Sequence, residues 1–151
     1  MFIIDPKTLL GGSIEMELLA SSESASDVEV TGKNVAVFDV MPTDQLLHAI
    51  ETAAFDLVNS ILEEGYRTVG VAVSFKHFSP VPGGHKAVAR LTLNSIEGRK
   101  FRFDFEVMDA IETVCQGSYA NYVISISDFN RNVAEKRERL NNLASVAFEH
   151  E

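Results

Sequence analysis

LLHAIETAAFDLVNSIL, residues 46–62, is the stretch whose pattern decides the architecture. At about 100° per residue, Leu47, Ile50, Ala54, Leu57, Val58 and Ile61 fall in one apolar stripe. His48, Thr52, Asp56, Asn59 and Glu63 fall elsewhere, so the spacing predicts a long amphipathic helix, apolar over half its circumference. Thr43 or Asp44, just after Pro42, suits the N-cap, and Gly65 suits the C′ position after Glu64. Glu51 breaks the pattern by projecting between Val58 and Leu62. A carboxylate inside an apolar stripe loses hydration unless something pairs with it, and such groups are common as chemistry. The competing reading is a helix edge at a wet interface, from which Glu51 reaches solvent.

Outward from the helix, the downstream sequence reads as strands. Thr68–His77 is the first, and Lys86–Ile96 with Lys100–Met108 forms a hairpin turning at Glu97-Gly98. Thr113–Ile126 is the last and longest. Phe101, Phe103, Phe105 and Val107 alternate with Arg102, Asp104 and Glu106, the signature of a half-buried strand. A charged final helix begins near Asp128, with Val133, Leu140 and Ala147 on its sparse apolar side. Upstream, Ser13–Ala20 reads as a strand, SSESAS (21–26) as a polar loop or hairpin tip, and Val28–Thr31 and Val35–Val40 as extended pieces around Gly32.

One apolar helix preceding a run of antiparallel strands gives an α+β domain. Because the helix is apolar over half its girth, a curved antiparallel sheet must wrap it, which is the outline of a hotdog fold with an added C-terminal surface helix. Residues 1–34 form an N-terminal strand and loop extension of that domain, 35–131 the hotdog core, and 132–151 the C-terminal helix. A small sheet of this kind has an exposed edge and is expected to pair into a homodimer.

The 151 residues suit one domain, and 46% apolar with 23% charged content fits a soluble globular protein. No apolar run approaches the roughly 20 residues of a membrane span. The N-terminal MFIIDPKTLLGGS lacks a basic leader and carries Asp5 and Pro6, so no signal peptide is expected. A single cysteine, Cys115, excludes an internal disulfide and fits a reducing, cytoplasmic setting, where it reads as a small buried hydrophobe. No Cys/His spacing suggests a metal site. A net charge of −9 argues against nucleic-acid binding. Between Gly65 and Arg102, however, seven basic residues face one acid, Glu97. That basic middle either attracts a phosphorylated ligand or is merely solvated.

In Thr68–His77, strict alternation places Val69, Val71, Val73, Phe75 and His77 on one face. Helix and strand would then each bring one ionisable group, Glu51 and His77, to the apolar layer, a usable acid/base pair. The alternative is a hydrogen-bonded structural histidine. Thr43 stands at the helix start, where free N–H groups favour developing negative charge, besides its role as a cap. After His77 comes FSPVPGG, where two prolines stiffen the loop and Gly83 and Gly84 let a ligand approach the backbone, unless it is an ordinary connection.

Thr43, Glu51 eight residues later, and HFSPVPGG from His77 to Gly84 together resemble the hotdog thioesterases of the fluoroacetyl-CoA thioesterase-like family. Gly98-Arg99-Lys100 and the stretch from Gly117 to Ile124 also look similar, so the resemblance covers roughly Val35 to Arg131. It implies a homodimer hydrolysing a short acyl-CoA, with Thr43, Glu51 and His77 acting together and the Gly70 N–H helping to hold the thioester oxygen. No cofactor is implied beyond the CoA thioester as substrate. Two departures stand out. Family members often carry His or Arg after a Gly-Thr pair in the last strand, where this chain has Gly117 and Ser118 followed by Tyr119, Ala120 and Asn121. The N-terminal third does not match the lid that lends fluoroacetyl selectivity. The altered Tyr119–Asn121 segment favours an alternative, a non-catalytic acyl-CoA or acyl-carrier binding module. A hotdog dehydratase or hydratase ranks last, since HFSPVPGG is not the motif of those sites.

Overall fold

The computed structural model describes residues 1–20, 28–30, 33–35 and 39–149. In chain order the elements are β1 (Ser13–Leu19), β2 (Val28–Val30), β3 (Lys33–Val35), α1 (Thr43–Asn59), β4 (Tyr66–His77), β5 (Lys86–Glu97), β6 (Lys100–Met108), β7 (Thr113–Ser125) and α2 (Ile126–Glu149). Five strands form one antiparallel sheet in the order β1-β5-β6-β7-β4, and β2 pairs with β3 as a separate ribbon. The expected α+β hotdog arrangement is therefore present: one sheet, one central helix on its inner face, and a trailing helix. The SSESAS loop, Gly32 and residues 36–38 lie outside the described residues.

Alternation builds the core as anticipated. Phe101, Phe103, Phe105 and Val107 of β6 are buried beside Ala87, Ala89, Leu91 and Leu93 of β5. Each fully buried phenylalanine contributes roughly 1.5–3 kcal/mol of apolar transfer. The β5–β6 hairpin turns where the sequence placed it, with Glu97 opposite Lys100 and Gly98 at φ 61°.

Helix α1 covers this layer with Leu46, Ile50, Ala53, Ala54 and Val58, while Leu47 and Leu57 are only half-buried. Two expectations about its ends are corrected. Thr43 is the first helical residue rather than the cap; Pro42 holds the N-cap position without a side-chain bond. The helix stops at Asn59, short of Glu64, because Asn59 turns its amide onto Phe55 O and onto Thr68 Oγ1 of β4 (3.1 Å). Gly65, at φ 93°, then serves the turn into β4.

A larger correction concerns β4. Its register against β7 shifts between Gly70 and Ala72, so Val71 is an extra, bulged residue. The bulge reverses the alternation partway along. Thr68 and Gly70 lie opposite the buried Val123 and Asn121, whereas Val73, Phe75 and His77 lie opposite Tyr119, Gly117 and Cys115. The continuous valine row expected on the core face does not exist. β4 is also an edge strand, and Val71 and Val73 are 51% and 49% exposed.

α2 extends from β7 as a 24-residue helix, about 36 Å long at 1.5 Å per residue. Phe129, Val133, Leu140 and Leu143 along it are all exposed, in keeping with the surface helix expected.

The β4–β7 approach leaves no room at Gly117. A Cβ there would fall 2.7 Å from Phe75 Cα and overlap the Ser74 carbonyl oxygen, both backbone. Gly117→Ala is expected to destabilise the fold by about 1–3 kcal/mol through forced backbone shifts. The check is a lower urea midpoint with an unchanged slope.

Candidate active site

Glu51 lies on the flank of α1, about 100° from the buried Ile50. It is exposed, between buried Val58 and half-exposed Phe55. The expectation of a desolvated carboxylate in the apolar stripe is thus corrected in favour of the wet-edge alternative. The reason is the position of β4: as the sheet's last strand among the described residues, it leaves this flank of the helix open.

That flank faces a cleft of about 310 Å³ lined by Glu51, Gly70, Val71, Ala72, Val73 and Tyr119. The bulge makes the cleft, because it sets Gly70 and Val73 toward the helix on either side of the displaced Val71. Tyr119, 7% exposed, comes from β7 directly opposite Val73. Its Oη lies 2.7 Å from the point where a Cβ on Gly70 would begin, so the hydroxyl occupies the space left by the missing side chain. Burial, with a smaller contribution from the negative charge of Glu51, pushes the Tyr119 phenol up to about 12. It is a protonated donor under all ordinary conditions.

Asn121, opposite Gly70 and two residues from Tyr119, is 1% exposed. Neither its Oδ1 nor its Nδ2 finds a partner among the described residues. Tyr119 and Asn121 escaped the sequence-based site assignment, although both sit in the segment that departs from the family pattern. An earlier signal was Gly70 itself, since a glycine inside a strand marks a bulge or a close approach.

Thr43 and His77 do not line this cleft. Thr43 is exposed, about 12 Å along the helix axis from Glu51 at 1.5 Å per residue. His77 is exposed at the end of β4, about 13 Å beyond Val73 at 3.3 Å per residue. α1 runs antiparallel to β4, with Asn59 bonded to Thr68, so Thr43 and His77 lie toward the same end of the domain. Met41 N–H donates to Val81 O there, tying the helix start to the proline loop.

The Gly83 N–H donates to Asp39 O and the Gly84 N–H to Ala20 O, so neither amide is free for a ligand. Gly84 borders a separate apolar cleft of about 620 Å³ with Val81, Pro82, His85, Lys86 and Ile111. Burial raises the Cys115 thiol above its ordinary value, which disfavours a thiolate nucleophile. No group of three metal-ligating side chains occurs among the described residues, and none of their helices is long and apolar enough to cross a membrane.

The family model described as FlK, fluoroacetyl-CoA-specific thioesterase, matches residues 14–127. A fluoroacetyl-CoA thioesterase of Streptantibioticus cattleyicolor is 26% identical over 98 residues, 65% of this chain and 70% of that protein. A hot-dog-like protein from Thermanaerovibrio acidaminovorans superimposes with a TM-score of 0.76 at 22% identity, covering 88% of this chain and 97% of its own. The F36A mutant of the fluoroacetyl-CoA-specific thioesterase FlK, in complex with fluoroacetate and CoA, gives a TM-score of 0.66 at 19% identity. That likeness covers 80% of this chain and 98% of the mutant's.

The raised Tyr119 value has a definite pH signature. A phenol whose folded value exceeds its unfolded value of 10.0 favours the folded state below pH 10, and that contribution is lost as the pH rises toward about 12. Urea midpoints of the wild type are expected to fall between pH 9.5 and 11.5 by more than those of Tyr119→Phe.

Proposed function

The chain belongs to the fluoroacetyl-CoA-specific thioesterase family, and on that footing we propose that it hydrolyses the thioester of a small acyl-CoA. The observation that carries this reading is the cleft in which Glu51 faces Gly70 across the β4 bulge. The acyl carbonyl lies beside Gly70, and Glu51 acts on the carbonyl carbon directly or through a water it deprotonates. His77 moves the proton to the leaving thiolate, and Thr43 orients Glu51 or His77. The reaction draws on side chains and the CoA thioester itself, with no added cofactor. Glu51 is the one charged group lining the cleft, which favours short uncharged acyl groups. The exposed loop residue His85 is available to the CoA phosphates.

A homodimer supplies what one chain leaves apart. The outer edge of β4 is free of any strand among the described residues, and its middle carries half-exposed valines. Antiparallel pairing of two β4 strands about a two-fold axis at position k sets residue i opposite 2k − i. With the axis between 72 and 74, the partner's His77 falls opposite 67–71, at the mouth of the Glu51 cleft. A free, buried Cys115 fits the reducing environment of the cytoplasm.

Two experiments test this reading. With an acyl-CoA panel and thiol detection, Glu51→Ala and His77→Ala are each expected to lower kcat/KM by about 10²-fold or more. Rates equal to the wild type would remove the assignment. In sedimentation, the wild type should run at twice the 16.6 kDa of the chain. Val71→Lys combined with Val73→Lys should run as a monomer without activity.

A further inference from the structure

One wall of the Glu51 cleft carries a neutral polar group that the mechanism above does not use, Tyr119, with Asn121 two residues along the same strand. They occupy the stretch of β7 where the family resemblance leads to an expectation of histidine or arginine. The wall is built closely. The Tyr119 hydroxyl abuts Gly70, 2.7 Å from where any side chain there would start, and its ring tilts against Phe103 with centroids 6.4 Å apart. Asn121, directly across from Gly70, keeps both amide atoms unpaired although it is 1% exposed. An unpaired buried amide costs roughly 1–3 kcal/mol, a cost that natural sites sustain where a ligand or water is to be met. A tyrosine without that purpose could be a phenylalanine and fill the same volume.

We propose that Tyr119 is a substrate-contacting residue whose phenol donates a hydrogen bond to the thioester carbonyl oxygen held beside Gly70. The inference rests on the thioesterase reading, and it adds to that reading a specific donor. As the nucleophile's electron pair forms the new bond to the carbonyl carbon, the carbonyl π pair moves onto oxygen. The negative charge then grows within reach of Tyr119 Oη. A donor aimed at that atom from a buried side chain stabilises the transition state more than the ground state. The proton stays on Tyr119 throughout, since the phenol is held well above its ordinary value by burial and by Glu51. When the intermediate collapses, the pair returns to the carbonyl and the sulfur leaves with the C–S bond electrons, protonated by His77. Tyr119 is unchanged at the end of the cycle.

The test is Tyr119→Phe, which retains the ring and its packing. For acetyl-CoA, kcat is expected to fall about 10²-fold, the usual loss for one oxyanion donor, with KM rising by no more than about tenfold and the thermal midpoint near the wild type. Two unreactive ligands isolate the contact. Carba(dethia)acetyl-CoA replaces the sulfur by methylene and keeps the carbonyl, whereas S-ethyl-CoA lacks the carbonyl oxygen. By calorimetry, Tyr119→Phe should bind the first about tenfold more weakly and the second as the wild type does. A variant with wild-type kcat and wild-type affinity for the carbonyl analogue overturns the proposal and leaves the thioesterase reading intact. Equal weakening toward both ligands also overturns it, since the loss would then lie in the shape of the cleft. A wild type that turns over no acyl-CoA refutes the thioesterase reading instead. The selective loss for the carbonyl analogue would still support the hydrogen bond in that case, and its absence would overturn it.

Discussion

One extra residue in β4 governs the rest of this molecule. Val71 has no partner position on β7, so the pleat resumes one residue out of phase. Before it, Thr68 points inward and takes the Asn59 amide that fixes the end of α1. After it, Val73, Phe75 and His77 take over the inward face. The reversal opens a gap under the flank of the helix, and Gly70, having no side chain, leaves the gap to the Tyr119 hydroxyl. A regular strand would have packed valines there and left Glu51 nothing to face. Bulges commonly occupy such positions beside active sites, where they re-aim side chains.

The fold was legible in the sequence because its main signals are strong and local. The aromatic alternation of β6, the Glu97-Gly98 turn and the apolar face of α1 each obey a single period. The helix ends were less legible, since Asn59 ends α1 through a tertiary contact to Thr68. The buried face of α1 was right in its centre, at Ile50, Ala54 and Val58, and wrong at its border. A helix wheel shows angles; it does not show that the sheet stops at β4. Glu51 was therefore read as a buried group, when it stands at an open edge. Thr43, Glu51, His77 and Gly70 were nominated through their spacing and the resemblance. Their geometry was not readable, because strict alternation carried through Gly70 misses the bulge.

Electrostatically the cleft is spare. Glu51 brings one negative charge, and the opposite wall offers a phenol in place of a cation. The basic residues between Gly65 and Arg102 lie elsewhere: Lys86 is engaged by Glu17 at 2.8 Å, and Arg90 reaches Ser13. The basic residues of that stretch are thus spread along the strands of the sheet and their turns.

α2 stands apart from this body. Its side chains from Ser127 to Ser145 are exposed, and the matched family region ends where it begins. Helix stability in proteins comes mostly from tertiary packing, and a segment with little of it is held by intrinsic propensity and i,i+4 neighbours alone. Its coil transition is then nearly independent of the sheet's and broad in temperature. Cooperativity is consequently divided within a single chain: helical ellipticity mixes the 24-residue tail with the 17-residue α1, and a two-state enthalpy fitted to that signal does not describe the enclosed core alone.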